Sequence, residues 1–181
     1  MGMSRAPATI DDFVALESER LTLRRHVIDD FDDTAALWAD PVVTRHIGGK
    51  PFSREESWTK LLRNVGHWQV VGFGYWVVRE KGSQRFVGEV GFADFKRDMQ
   101  PSLEGSPETG WVLASHAHGK GYATEAVRTA LGWSDARFGA KRTVCIIDPD
   151  NVASIRVAAK CGYQERARTT YKGASVILFQ R

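Results

Sequence analysis

Glu108-Thr109-Gly110-Trp111-Val112-Leu113 and, a short turn later, Gly119-Lys120-Gly121-Tyr122-Ala123-Thr124-Glu125-Ala126 decide how this chain reads. The first segment predicts a strand. The second sets two glycines and a cation against the start of a helix. Ala123, Val127, Ala130, Leu131 and Phe138 recur near the helical spacing, which predicts a helix running to about Phe138. Strand, glycine turn and helix N-terminus together form an anion site. Unpaired backbone N–H groups point outward there, and the helix dipole favours negative charge. Glycine lets the chain bend tightly and lets a phosphate approach the backbone. A phosphate-bearing ligand is therefore expected at the start of this helix.

Two familiar phosphate motifs do not fit. A P-loop needs Gly-x-x-x-x-Gly-Lys-Ser/Thr, but Gly119-Lys120 has Ala114 where the first glycine belongs and Gly121 where the hydroxyl belongs. A dinucleotide fingerprint needs Gly-x-Gly-x-x-Gly, and the third position here is Thr124.

His118-Gly119-Lys120-Gly121-Tyr122-Ala123 instead resembles the acyl-CoA-binding pattern Arg/Gln-x-x-Gly-x-Gly/Ala of the GNAT superfamily of N-acetyltransferases, with His118 in place of Arg or Gln. A second block, Asn151-Val152-Ala153-Ser154 through Lys160-Cys161-Gly162-Tyr163, resembles that superfamily's Asn-x-x-Ser/Ala…Lys-x-Gly-Phe/Tyr segment. Both occur in the family's order and separation. The likeness runs from about Glu19 to Arg181. Glu19–Arg24 and Gly72–Val78 look like the branch containing ribosomal-protein N-terminal acetyltransferases.

Working outward, Leu21, Leu23 and Arg25 alternate with polar residues as a half-buried strand. Asp29 or Asp30 caps a helix through about Trp38. Ser53-Arg54-Glu55-Glu56 is a capping box that opens a helix through about Trp68. Strands are expected at Phe73–Arg79 and Arg85–Phe95 as a hairpin, then a loop from Arg97 to Pro107. After the long helix, Gly139 is placed to end it. Arg142–Ile147 reads as a buried strand, Asn151 caps a short helix stopped by Gly162, and Tyr163–Thr169 with Ser175–Phe179 form a final antiparallel pair. The expected architecture is α/β of the α+β type: a mixed, mostly antiparallel sheet of about six to seven strands with helices on both faces. Residues 1–18 read as an N-terminal extension and 19–181 as one domain.

Composition is ordinary for a globular chain, with 43% hydrophobic and 26% charged residues, which excludes the disordered and fibrous classes. No apolar run approaches the roughly 20 residues of a membrane span. Met1-Gly2-Met3-Ser4-Arg5-Ala6 has neither an apolar signal core nor the myristoylation pattern. Cys145 and Cys161 lack metal-ligand spacing and read as reduced core residues of a cytoplasmic protein. Residues 1–40 carry four basic and nine acidic residues, whereas 141–181 carry eight basic and three acidic. The cationic C-terminal part suits a phosphorylated ligand. Basic residues do not interleave with aromatics, so neither nucleic acid nor membrane is an expected partner.

The resemblance implies acetyl-CoA as cosubstrate and direct transfer of its acetyl group to a primary amine, either a protein N-terminus or a small molecule. It implies that main-chain groups of Trp111, Val112 and Leu113 hold the pantetheine arm and the acyl carbonyl. Amides of Gly119, Gly121, Ala123 and Thr124 would hold the pyrophosphate, within a turn that also includes His118, Lys120 and Tyr122. Glu108 is the candidate general base, with Glu89 on the neighbouring strand as its alternative. Many family members place a Tyr seven residues after the second-block Asn. Here that residue is Ala158, and Ser154 is the candidate donor to the departing thiolate. Asn151 caps its helix and would bond the pantetheine amides. The rival reading is a CoA-binding module with weak or no catalysis. His46, His67, His116 and His118 offer only His116-x-His118 as a paired spacing, and no metal is expected. Trp38, Phe52, Trp58, Trp68, Tyr75 and Trp76 are expected mostly in the core, some lining an acceptor pocket. The acids at 29–33 either attract a cationic amine or serve a helix start. A homodimer through an exposed final strand is compatible with this pattern.

Overall fold

The computed structural model describes residues 15–139 and 142–181. Met1–Ala6 and most of the expected N-terminal extension lie outside the described residues. The strands are β1 (Leu16–Glu17), β2 (Leu21–Arg24), β3 (Tyr75–Glu80), β4 (Phe86–Ala93), β5 (Glu108–Leu113), β6 (Val144–Ile147), β7 (Gln164–Tyr171) and β8 (Ala174–Gln180). They form one sheet in the order β1-β2-β3-β4-β5-β6-β8-β7. Every neighbouring pair is antiparallel except β5–β6.

The sheet thus has eight strands rather than six to seven. The added strand is β1, whose two residues are too few to show a period of two.

The helices are α1 (Phe31–Ala39), α2 (Pro41–Thr44), α3 (Arg54–Val71), α4 (Tyr122–Phe138) and α5 (Val152–Lys160). Their ends follow from the residues read above. Ser53 Oγ accepts the Glu56 N–H at 3.1 Å and the Glu56 carboxylate accepts the Ser53 N–H at 2.7 Å, closing the capping box of α3. Gly72 ends that helix with φ of 81°, a left-handed conformation glycine adopts without strain. The Asn151 side chain caps α5 by accepting the Ser154 N–H at 3.1 Å.

Strand alternation divides the core between the two faces. Trp76, Val78, Val90 and Phe92 pack with Ala126, Val127, Ala130 and Leu131 of α4. Val77, Phe86 and Val112 pack with Leu37 and Trp38 of α1 and Val43 of α2. Helices therefore cover both faces, as expected. Trp68 of α3 closes the first face in edge contacts with Trp76 and Trp133 at 4.9 and 5.5 Å.

Candidate functional site

The parallel contact of β5 with β6 is confined to the register Glu108↔Val144, with the Val144 N–H bonded to Pro107 C=O. Beyond that point the two strands part. Ala114 N–H bonds Val87 C=O, so the ladder alternation turns the backbone groups of residues 108, 110 and 112 toward β4. Those of Thr109, Trp111 and Leu113 face the opening. Val112 therefore spends its main chain within the sheet and meets the cleft through its side chain. Leu113 C=O already accepts from His118 Nε2 at 2.9 Å. Trp111 is left as the residue presenting an N–H and a C=O to the gap.

The glycine turn lies past the end of β5. Gly119 and Gly121 have φ of 75° and 79°, and Gly121 is the N-cap of α4 with no side-chain cap. The amides of Tyr122, Ala123 and Thr124 form the first turn, where helical N–H groups lack an internal partner. His118, at the position of the usual Arg or Gln, folds back onto β5 instead of reaching out.

A residue remote in sequence braces this turn. Glu125 Oε1 accepts from the Arg20 N–H at 2.8 Å and from Ser18 Oγ at 2.7 Å. Its Oε2 accepts from Arg20 Nε at 2.7 Å. Arg20 also donates to Lys120 C=O at 3.0 Å and stacks on Tyr122 at 4.6 Å. These contacts join the β1–β2 turn to the glycine turn, and no local motif around Arg20 announces them.

Between the two sheet halves lies a cleft of about 1120 Å³. Glu108, Trp111, Val112, Asn151 and Ser154 line it, whereas Leu113 and the turn 118–124 are not among its lining residues. Ala158 is fully buried in the core and brings no hydroxyl to the cleft. Ser154 sits at the mouth of α5, half-buried.

Glu108 is held by Arg97, whose Nε and Nη2 donate to its two oxygens at 2.5 and 2.7 Å. Arg97 comes from the loop after β4, a partner the sequence did not indicate. Its guanidinium also lies 4.8 Å from the Tyr171 ring centroid. Burial works against the Arg97 charge, but the Glu108 carboxylate outweighs it and raises the Arg97 pKa.

Glu89 lies under the cleft floor, fully buried. It accepts from His26 Nε2 at 3.1 Å, Thr34 Oγ1 at 3.2 Å and Trp38 Nε1 at 3.2 Å. Burial disfavours its charge, yet the His26 bond, with help from Lys60 and Trp38, keeps its pKa below the usual carboxylate range. A carboxylate so enclosed is a structural anchor rather than a group that meets substrate.

Tyr75, Trp38 and Phe52 line the cleft, whereas Trp68 and Trp76 are core and Trp58 packs on Phe31 at the surface. A side chain at Gly110 would collide with the Tyr75 hydroxyl. The glycine thus lets the ring lie across β5. Burial, reinforced by Glu108 and Glu89, raises the Tyr75 pKa and keeps its phenol neutral.

The acids at 29–33 do not reach the cleft. Asp30 binds Arg24 and Arg79, Asp33 binds Arg79, and Asp32 binds Arg54. Asp30 and Asp33 anchor the α1 end to the sheet, and Asp32 ties it to the start of α3.

The histidines have partners of their own. His67 donates to Phe73 C=O at 2.6 Å and accepts from the Asp94 N–H at 3.0 Å. His116 donates to Phe86 C=O at 3.0 Å. His46 Nδ1 meets Asp148 Oδ2 at 2.9 Å, and both residues line the cleft. Among the described residues no three His, Cys, Asp or Glu side chains converge as a metal site, and no helix is long and apolar enough to cross a membrane. Cys145 and Cys161 are free and buried.

A family model described as an acetyltransferase (GNAT) domain matches residues 20–164. The chain is 31% identical over 153 residues to the uncharacterized protein YkkB of Bacillus subtilis (strain 168), covering 81% of this chain and 83% of that one. It is 26% identical over 151 residues to the uncharacterized N-acetyltransferase p20 of Bacillus licheniformis, covering 83% and 82% of the two chains. Among solved structures, a putative GNAT-family acetyltransferase from Bordetella pertussis superposes with a TM-score of 0.82 at 27% identity, over 93% of this chain and 99% of that one.

Proposed function

The chain belongs to the acetyltransferase (GNAT) family, and from that premise we propose that it moves the acetyl group of acetyl-CoA directly to a primary amine, with no covalent enzyme intermediate. The observation that carries this reading is the gap between β5 and β6. It sets the free main chain of Trp111 beside Glu108, Asn151 and Ser154 in one cleft.

In this reading the pyrophosphate sits on the amides of Gly119 through Thr124, where the helix dipole and the φ of Gly119 and Gly121 suit an anion. His118 and Lys120 shape that turn, His118 by tying it to Leu113 and Lys120 by accepting from Arg20 through its carbonyl. The pantetheine arm lies along β5, bonded to Trp111 and flanked by Val112, Leu113 and Asn151. The Trp111 N–H, free at the gap, would donate to an oxyanion formed on the acyl carbon. Ser154 Oγ–H donates to the departing thiolate. Glu108 takes the amine proton through a lone pair that Arg97 leaves open. A second reading gives that proton to His46. Asp148 fixes its Nδ1, which leaves Nε2 directed by a carboxylate-bound ring at the same cleft.

Two free buried thiols agree with a reducing compartment, and we place the enzyme in the cytoplasm. The amine is either a protein N-terminus or a small molecule. The test is free-thiol release from acetyl-CoA against a panel of primary amines. Release above the amine-free rate supports transfer. Tight CoA binding with no thiol release in the presence of any amine makes the chain a CoA-binding module.

A further inference from the structure

We propose that the amine acceptor also carries an anionic oxygen group, a carboxylate or a phosphate, held in the cleft by Lys60 and Arg63. The consequence for substrate choice rests on the acetyl-transfer reading; the anion site itself rests on the geometry below.

The cleft is cationic once its internal pairs are removed. Glu108 is spent on Arg97 and Asp148 on His46. Arg45, Lys60, Arg63 and Lys172 also line it, and none of them has a carboxylate within 4 Å among the described residues. Asp150 is the one lining acid outside a pair.

Lys60 is the most constrained of these cations. Its Nζ lies 3.9 Å from the Trp38 ring centroid and 5.9 Å from that of Tyr75. Burial pushes its pKa down to about 8, against the partial pull of Glu89 and with added repulsion from Arg63. Glu89 has its oxygens occupied by His26, Thr34 and Trp38, so it answers the Lys60 charge only through space. Arg63, three residues later on the same helix face, lies 5.3 Å from the Phe95 ring centroid. Two neighbouring cations held over aromatic rings, one of them desolvated, gain from an anion seated between them.

That anion is not the cofactor's pyrophosphate. Phe95 follows Ala93, which pairs with Glu108 at the start of β5, whereas the phosphate turn follows Leu113 at its end. A six-residue strand separates the two regions by about 17 Å. The Lys60 end of the cleft is the side from which an amine would approach the acyl group. A polyamine would meet uncompensated positive charge there.

The test uses the full chain saturated with CoA and calorimetric titration of matched amines: glycylglycine against glycinamide, O-phosphoethanolamine against ethanolamine, and spermidine. The anionic member of at least one pair is expected to bind tenfold or more tightly than its neutral counterpart, and the pair that shows it identifies carboxylate or phosphate. Lys60→Gln and the more exposed Arg63→Gln should each erase most of that ratio, and Lys60→Arg should retain it, with CoA affinity as the folding control. Equal or tighter binding of the neutral members or of spermidine overturns the proposal, as does a ratio that survives both neutralising variants. Thiol release with acetyl-CoA on the same amines separates the two claims. Anion-dependent binding without release defeats the transfer reading and leaves the anion site standing. Thiol release as fast with neutral amines as with their anionic counterparts supports transfer and removes the anion site.

Discussion

Arg97 and Glu108 face each other as a two-point ion pair, Nε to Oε2 at 2.5 Å and Nη2 to Oε1 at 2.7 Å, with residues 98–107 of the β4–β5 connection between them. The pair closes the loop and fixes the carboxylate at the cleft wall. Its partners are largely buried, so removing one leaves the other charge poorly solvated.

Arg97→Met is expected to destabilise the protein by about 3 kcal/mol in urea unfolding. Combining it with Glu108→Gln should recover much of that loss, because no charge then remains unpaired. Additive losses in the double variant would mean that the two residues stabilise the fold separately.

Glu108→Gln should lower kcat by about 10²-fold or more while leaving the KM for acetyl-CoA unchanged, as expected for loss of a proton acceptor. His46→Asn is the matched control. A fall of that size in His46→Asn, with Glu108→Gln near wild type, moves the proton to the His46–Asp148 pair.

Gly121→Val puts a β-branched residue at φ of 79° at the N-cap of α4, a conformation it strongly disfavours. Its side chain would also crowd the surface on which a phosphate must rest. CoA affinity measured by calorimetry should fall at least about 100-fold, with the far-ultraviolet dichroism unchanged. Retained affinity would remove the phosphates from this turn.

Asp30 should govern part of the acid limb of stability. Burial alone would raise its pKa, but Arg24, the Val27 N–H and Arg79 outweigh that and hold it at about 2. Its folded pKa is below its unfolded value, so its contribution is present above the unfolded pKa and disappears as pH falls through about 2. The shift corresponds to about 2 kcal/mol. Urea titrations of Asp30→Asn between pH 5 and 2 should show a flatter slope than wild type. Parallel slopes would assign the acid limb to other carboxylates.

Lys60 titrates in the opposite sense. Burial disfavours its charged form, so binding of an anionic amine should weaken as pH rises through about 8. Glu89 and Arg63 act on the same ammonium with opposite signs, Glu89 favouring its charge and Arg63 opposing it. A pH-independent affinity from 7 to 9, measured on Lys60→Arg and wild type together, would take Lys60 out of the anion site.

Local signals carried most of the fold. Ser53 with Glu56, Asn151 with Ser154, and Gly121 before Tyr122 are contacts between near neighbours, and each marks a helix end. β3 and β4 are visible as a hairpin because the turn residues Gly82 and Ser83 separate two largely apolar runs. β1 was hidden by its length. In the cleft, Glu108, Asn151 and Ser154 lie in or beside recognisable segments. Arg97, Lys60 and His46 do not, since the groups they meet sit on other elements and their own surroundings in sequence resemble solvated charge. The pairing of Asp30 with Arg24 and Arg79 likewise depends on strands meeting, so acids that suit a helix start in the sequence prove to be ties to the sheet.

The single-register meeting of β5 and β6 leaves a seam in the sheet between β1–β5 and β6–β8. Across it run Tyr163, whose hydroxyl bridges Thr109 and Thr143 at 2.6 and 2.8 Å, and Arg142 on Ser106 at 2.8 Å. A pantetheine arm bonded into the gap would act as a temporary ninth strand, stitching β1–β5 to β6–β8. Amide exchange should then slow on both borders at once when the cofactor binds, and the protein's mechanical continuity would be lent to it by the molecule it consumes.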